Sequence, residues 1–138
     1  MINKFSGDNE FLSNFYPCGI WMDGQFYPSV EHAFQAAKTL NIEDRKTIAV
    51  ADTPALAKHM GKQVELRSDW NSVKCQIMLD LLRKKFSNNT LREKLLATGT
   101  KHLVEGNNHK DSFWGVYKGE GKNMLGQLLM QVRKEVSK

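Results

Sequence analysis

The hydrophobic pattern of this chain changes its period once, near Pro28, and this change most limits the folds that the chain can adopt. Before it, short apolar stretches at 19–22 and 25–27 flank Asp23-Gly24, a pair that accepts the positive φ angles of a two-residue hairpin turn. After it, apolar residues recur three and four positions apart, as they do on one face of a helix. The sequence therefore predicts one β-hairpin followed by a series of helices.

The predicted helices account for most of the chain after Pro28. The first runs from Val30 to about Thr39, with Ser29 as its N-cap. So few strands are predicted that a doubly wound sheet is excluded, and the predicted fold is an α+β, mainly helical single domain over residues 1–138. The other predicted elements are helices over 41–51, from a Thr53 cap to Gly61, over 68–86 with residues 73, 77, 78, 81, 82 and 86 buried, from a capping box at Thr90 to Thr98-Gly99, and over 123–136, with short strands within 101–105 and 114–117.

Length and composition agree with one small domain. The chain has 138 residues, 41% of them hydrophobic, which suffices for a core without disulfide or metal support. Its longest apolar run, residues 48–51, is far shorter than a membrane helix, which needs about 20 residues. The N-terminal residues lack the apolar segment of a signal peptide. We therefore expect a cytoplasmic protein with no membrane partner.

The charge is distributed unevenly along the chain. Twenty basic and 15 acidic residues give a net charge of +5, and the excess lies in the middle and at the C-terminus. Residues 1–31 carry one basic and four acidic side chains, whereas residues 67–94 carry seven basic and three acidic ones. One interpretation is an anionic partner, either nucleic acid or a phosphorylated small molecule. The other is that lysine and arginine cover the solvated faces of helices.

The metal-binding residue types are scattered. The two cysteines, Cys18 and Cys75, are far apart in sequence, and the four histidines form no pair at a metal-ligand spacing. The sequence therefore predicts no disulfide framework, no structural zinc and no cofactor, with both cysteines as small apolar fillers.

One predicted helix face carries groups suited to chemistry. Glu31, Gln35 and Lys38 lie at i, i+4 and i+7, so a carboxylate, an amide and an amine line the same face. A Glu in the first turn is favoured in its ionised form by the helix dipole. A carboxylate beside an amine can perform acid–base or covalent chemistry on a sugar carbon. The alternative is an exposed polar stripe.

Two further segments combine polar and aromatic residues. Asn14 can hydrogen-bond a base or ribose edge and Phe15 can stack on it; the alternative is a turn followed by a core aromatic. Arg67 and Trp70 surround a predicted helix N-terminus, where exposed amides favour anions; the alternative is an ordinary cap with Trp70 at the edge of the core.

The least ordinary segment is the polar loop 107–115. It contains Asp111 three residues before Trp114-Gly115. Loops of this polarity lie on the surface, so Trp114 needs either a core pocket or a flat ligand to cover its ring.

These motifs follow one another in order along nearly the whole chain, and together they resemble the NADAR (NAD and ADP-ribose associated), or YbiA-like, family. Residues 39–66 look short for the family and carry none of its motifs. The matching motifs are Ser13-Asn14-Phe15, Pro28 to His32 with Lys38, Arg67-x-x-Trp70 with Met78, Leu95 to Gly99 with Leu103-x-Glu105, Asp111-x-x-Trp114-Gly115, and Asn123-x-Leu125-Gly126 to Arg133.

The resemblance implies an α+β fold and cleavage of N-glycosidic bonds. One branch of the family destroys ribosylated aminopyrimidine phosphates from early riboflavin biosynthesis, and another removes ADP-ribose from modified guanine in nucleic acid. The resemblance also implies that Glu31 is the essential acid, Asp111 the second acidic residue and Lys38 the helix lysine. The tryptophans that it implies for the site are Trp70 and Trp114.

The residues and the resemblance lead to one hypothesis. An ionised Glu31 beneath the ribosyl C1′ stabilises the positive charge that develops there, and Asp111 or Lys38 protonates the departing nitrogen. Alternatively, Lys38 forms a Schiff base with the opened sugar. The predicted substrate-binding residues are Asn14, Phe15, Arg67, Trp70, Trp114, Gly115 and Asn123, with Arg67 and Asn123 as phosphate contacts.

The expected partner is a phosphorylated ribosyl or ADP-ribosyl substrate, with ADP-ribosylated nucleic acid as one form of it and no obligate protein partner. Two rival functions remain: a non-catalytic module that binds NAD or ADP-ribose, and a nucleic-acid interaction protein that relies on its basic helices.

Overall fold

A computed structural model describes all of residues 1–138. The α+β, mainly helical fold class is confirmed, and no helix combines the length and the apolar character needed to cross a membrane. The elements are a 3₁₀-helix (Gly7–Leu12), strands β1 (Ile20–Met22), β2 (Gln25–Tyr27), β3 (Gly106–Asn107) and β4 (Val116–Tyr117), and helices α1 (Val30–Ala37), α2 (Ile42–Ala49), α3 (Pro54–Gly61), α4 (Trp70–Lys85), α5 (Asn89–Ala97) and α6 (Met124–Val136).

The chain forms two compact units. The central unit is Asn14–Lys85, and the terminal unit combines Met1–Ser13 with Phe86–Lys138. The single domain over 1–138 stays a prediction.

The predicted hairpin opens the central unit and is confirmed. Strand β1 pairs with β2 in antiparallel register, with Trp21 opposite Phe26. The turn residues Asp23 and Gly24 have φ angles of 50° and 78°, the left-handed values that a two-residue hairpin turn requires.

Helix α1 is the centre of this unit, because every one of its eight residues is buried. The predicted cap is confirmed: the Ser29 hydroxyl accepts a hydrogen bond from the His32 backbone N–H at 3.1 Å. The same hydroxyl lies 2.7 Å from His32 Nδ1, and His32 Nε2 donates to the Ala51 carbonyl at 3.0 Å. These bonds tie the start of α1 to the chain that follows α2, so its first turn is held on two sides.

Helix α4 departs from its prediction. It begins at Trp70 rather than at residue 68, and Val73 and Ile77, which were expected to be buried, are half-exposed. The physical reason is that both line a surface groove between α4 and the hairpin. Leu79 and Lys85 are buried instead.

The predicted capping box of α5 is wrong by two residues. The Asn88 side chain, not Thr90, caps the helix and accepts from the Leu91 backbone N–H at 3.0 Å. Asparagine is at least as good an N-cap as threonine, so the helix begins at the earlier acceptor.

The strands of the terminal unit are shorter than predicted. Within 101–105 there is no strand but a single parallel bridge between Leu103 and Ile2. The paired strand begins just after this range, at Gly106, where β3 runs parallel to β4. The strand predicted within 114–117 is therefore confirmed only for Val116–Tyr117. Helix α6 closes the unit and begins one residue after its predicted start at Asn123.

Candidate active site

Glu31 lies in the first turn of α1 and is only 7% exposed. Its Oε2 accepts a hydrogen bond from Gln35 Nε2 at 2.7 Å, and its backbone N–H donates to the Asn14 carbonyl at 3.0 Å. The alternative of an exposed polar stripe is therefore wrong for Glu31 and Gln35. A buried carboxylate with one oriented donor has a fixed direction, as electrostatic stabilisation of a reacting centre requires.

Gln35 is itself held by a close approach of two helices. It is 4% exposed, and a Cβ atom on Gly61 of α3 would collide with its Oε1. A side chain at position 61 would therefore displace the Gln35 amide, so Gly61 does more than end α3 as predicted. The sequence signal for Gln35 was its i+4 spacing from Glu31; Gly61 gave no comparable signal.

Lys38 stands immediately after α1 and is half-buried. Its backbone carbonyl accepts from the Arg67 backbone N–H at 2.8 Å, which anchors the end of the helix. Burial lowers the pKa of Lys38, the charge of Glu31 opposes that effect, and the positive charges of nearby lysines lower the pKa further. A larger share of the amine is therefore neutral, the form that acts as a nucleophile or a base.

Asn14 presents an unsatisfied acceptor beside this helix. It is 9% exposed, its Nδ2 contacts Met78 Sδ at 3.6 Å, and its Oδ1 has no hydrogen-bond partner. A buried acceptor without a donor is unfavourable unless a ligand supplies one. Phe15 is 41% exposed, so it is not a core aromatic and its ring is accessible for stacking.

Arg67 and Trp70 are engaged with the protein. The Arg67 guanidinium binds Asp69 through two hydrogen bonds of 2.6 and 3.1 Å, which raises the pKa of Arg67 and lowers that of Asp69. The Trp70 ring packs on Phe34 with centroids 5.0 Å apart and is 7% exposed. This agrees with a tryptophan at the core edge, and substrate contacts by either residue stay predictions.

In the terminal unit, Asp111 organises the loop that carries Trp114. One carboxylate oxygen of Asp111 accepts from the backbone N–H groups of Phe113 and Trp114, at 3.1 and 3.0 Å. Asn107, which sequence reasoning missed, accepts from the Asp111 backbone N–H at 3.0 Å and donates to its carbonyl at 2.8 Å. Asparagine and aspartate commonly form such turns with their own backbone, so the pattern was present in the sequence.

The residues that follow Trp114 fix its position. Gly115 is buried, and a Cβ atom there would collide with the Glu105 carbonyl oxygen. Asn123, at φ 52°, accepts from the Glu105 backbone N–H and donates to the Leu103 carbonyl, both at 2.9 Å. Because both polar ends of the Asn123 side chain are used in this way, it is a poor source of a phosphate contact, and that role stays a prediction.

Each unit therefore gathers its own set of predicted site residues. The central unit places Glu31 and Lys38 along α1 with Asn14 at its start, and the terminal unit collects Asp111 and Trp114 in one loop. No group of three or more His, Cys, Asp or Glu side chains is arranged to hold a metal ion.

The arrangement of motifs has a counterpart among known proteins. The NADAR domain family matches residues 3–137 of this chain. The chain belongs to this family. The matched range includes every predicted site residue from Asn14 to Asn123.

Several curated proteins are similar to this chain over most of its length. The N-glycosidase YbiA of Escherichia coli (strain K12) is 40% identical over 99% of this chain and 89% of that protein. The N-glycosidase Npun_R5314 of Nostoc punctiforme is 42% identical over 91% of this chain and 84% of that protein. The NMR structure of E. coli YbiA matches with a TM-score of 0.84 and 39% identity, covering 99% of this chain and 87% of that one.

A longer relative is named for a pathway. The riboflavin biosynthesis protein VVA0006 of Vibrio vulnificus is 40% identical over 91% of this chain, but the aligned part spans only 35% of that protein.

Proposed function

We propose that this chain is an N-glycosidase that hydrolyses the bond between a ribosyl C1′ and nitrogen. The observation that carries the proposal is the Glu31 carboxylate, buried to 7% exposure, held by Gln35 and followed on the same helix by the half-buried Lys38. The support for the reaction class is 40% identity, over nearly the full chain, to enzymes named N-glycosidase. The chain is a hydrolase that acts on N-glycosyl bonds.

Glu31 acts on the sugar in this mechanism. Breaking the C1′–N bond builds positive charge on the ribose, and an ionised carboxylate beneath C1′ stabilises that charge. The position of Glu31 in the first turn of α1 adds the favourable field of the helix dipole. Water adds to C1′, the nitrogen leaves with the bonding electrons and takes up a proton, and the sugar keeps a hydroxyl group.

Asp111 and Lys38 are the candidates for the proton donor. Asp111 has one carboxylate oxygen engaged by the backbone, so its second oxygen is the one proposed to carry the proton. Trp114 lies on the same loop and is proposed to cover the base or sugar.

Lys38 also supports a covalent route. Its lowered pKa favours attack by the neutral amine on C1′ of the ring-opened N-glycoside, and the substrate nitrogen leaves with a proton as the C1′–N bond breaks. Water then hydrolyses the imine between Lys38 and C1′ and releases the sugar. Borohydride separates the two routes: a stable protein–sugar adduct in wild type that is absent in Lys38→Arg indicates the imine, whereas active enzyme without an adduct indicates direct hydrolysis.

The two candidate substrates share the bond and a phosphate. Ribosylamino-pyrimidine phosphates are favoured by relatives named riboflavin biosynthesis proteins in Vibrio vulnificus and Zea mays, the latter 36% identical. ADP-ribosylated guanine is the second candidate, from the family resemblance.

The test is a hydrolysis assay on both substrates side by side, with base release and sugar release measured together. Turnover of one or both by wild type supports the proposal, and their ratio identifies the substrate. Tight binding of ADP-ribose with no release of base from either substrate would instead indicate the non-catalytic binding module.

A further inference from the structure

A small pocket lies between the β-hairpin and α2 in the central unit. Its volume is about 390 Å³, which is within the size range of small-molecule sites. Its lining includes two apolar side chains, Met22 and Ile42, and the polar side chains of Asp23, Tyr27 and Arg45. None of these five residues is among the predicted site residues, and no step of the proposed hydrolysis uses them.

Tyr27 carries a buried hydroxyl that lacks a partner. The residue is 0% exposed, and its Oη has no hydrogen-bond partner. Burial raises the pKa of Tyr27 and the charge of Arg45 opposes that effect, so the phenol keeps its proton at neutral pH and is a hydrogen-bond donor. A buried donor without an acceptor destabilises the protein. An acceptor atom of a ligand in the pocket would remove this cost.

Arg45 supplies an oriented guanidinium to the same pocket. Its Nε donates to the Thr39 carbonyl at 2.8 Å, and its Nη1 donates to Asp23 Oδ2 at 2.9 Å. These two bonds hold the side chain, which is 13% exposed, and they leave Nη2 without a hydrogen bond. A guanidinium edge with a fixed direction is well suited to bind an oxyanion.

The charges that line the pocket favour an anion with a single negative charge. Arg45 and Lys46 are positive and Asp23 is the one acidic side chain of the lining, so one positive charge is left over. Lys46 lies 3.6 Å from Glu43, but both side chains are exposed and the pair is screened by solvent. A carboxylate has the matching charge, and its two oxygens can accept from Arg45 Nη2 and from the Tyr27 hydroxyl.

We propose that this pocket binds a small organic carboxylate, with the carboxylate group held by Arg45 and Tyr27 and the apolar part of the ligand against Ile42 and Met22. Ile42 is 67% exposed, so a ligand that covers it removes apolar surface from water. The site is independent of the proposed function, because the hairpin and α2 build it without any candidate catalytic residue.

An NMR titration of the full chain tests the proposal. Benzoate is added to the ¹⁵N-labelled protein at constant ionic strength, and the backbone amides of Gly24 and Gln25, which line the pocket, report binding. Phenyl phosphate and benzyl alcohol, titrated in the same way, replace the carboxylate by a phosphate and by a neutral hydroxyl. We expect saturable shifts with benzoate, weaker binding of phenyl phosphate, and binding of benzyl alcohol that is weaker by about tenfold or more.

Two variants test the two groups assigned to the carboxylate. Tyr27→Phe removes only the hydroxyl, and we expect it to bind benzoate about fivefold more weakly. Without ligand it should melt at a higher temperature than wild type, because a buried donor without an acceptor is gone. Arg45→Lys keeps the charge but lacks the Nη2 edge, and it should also weaken benzoate binding. The control is Tyr117→Phe, at a half-exposed tyrosine of the terminal unit, which should leave benzoate binding within about twofold of wild type.

Three results would overturn the inference. The first is the absence of saturable shifts at Gly24 and Gln25 in wild type, or equal binding of benzoate and benzyl alcohol. The second is undiminished binding of benzoate by Tyr27→Phe and Arg45→Lys. The third, tighter binding of phenyl phosphate than of benzoate, would overturn the assignment of the ligand as a carboxylate. The hydrolysis assay is a separate measurement, and its outcome does not bear on this site.

Discussion

At the scale of single residues, one hydrogen bond fixes the direction of the candidate catalytic carboxylate. Glu31 has little solvent contact, and Gln35 donates to it across one helical turn at 2.7 Å. The orphaned Oδ1 of Asn14 and the lowered pKa of Lys38 belong to the same neighbourhood of α1. A buried carboxylate, a buried acceptor without a donor and a half-buried amine each lower the stability of the free protein. Binding of a polar substrate would offset this loss of stability.

Asp111 offers a test that separates charge from position. Asparagine at this position keeps an oxygen that accepts from Phe113 and Trp114, whereas alanine removes both bonds. We expect Asp111→Asn to fold with wild-type stability but lose about 10²-fold or more in kcat, because the acid is gone. We expect Asp111→Ala to lose in addition about 1–2 kcal/mol of unfolding free energy. Urea unfolding and steady-state kinetics on both variants measure the two effects. A fully active Asp111→Asn variant would reduce Asp111 to a positioning residue.

At the scale of elements, the contact between α1 and α3 supports the candidate site. In a solvated helix, Gly→Ala stabilises by about 1 kcal/mol, but at Gly61 the added methyl group would collide with Gln35. We therefore expect Gly61→Ala to lower both thermal stability and kcat. Ala55→Gly, at an exposed position of the same helix, should lower stability by about 1 kcal/mol and leave kcat unchanged. A Gly61→Ala variant that is more stable and fully active would contradict this account.

Some of the elements could be predicted from the sequence and others could not. The hairpin and α1 follow from local signals, a turn dipeptide and an apolar period with an N-cap, and both are confirmed. The start of α5 was missed because two good caps lie two residues apart. The exposed side of α4 was missed because its groove depends on the hairpin, which is distant in sequence. The Gly61–Gln35 contact arises between two helices, so no local pattern could show it.

At the scale of the whole molecule, the pH dependence of stability reports on Lys85. This lysine is 1% exposed, and burial lowers its pKa to about 8, with Cys18 opposing that shift. Between about pH 8 and 10.5 the unfolded chain holds this proton and the folded chain does not, so the unfolding free energy rises with pH across that window. Unfolding at several pH values should give this slope in wild type and a flatter one in Lys85→Met. The same slope in both proteins would show that Lys85 is not the group responsible.

The NADAR family match covers residues 3–137, so the family assignment applies to nearly the whole chain.

The proposed role of Glu31 is tested most directly by the hydrolysis rate of Glu31→Gln. Glutamine at this position can still accept the hydrogen bond from Gln35, so the variant removes the charge and keeps the local geometry. Single-turnover rates of C1′–N cleavage would be measured for wild type and variant with substrate in contact with excess enzyme, alongside urea unfolding of both proteins. We predict a loss of about 10³-fold or more at unchanged stability. A Glu31→Gln variant that folds normally and cleaves the bond at the wild-type rate would contradict the account.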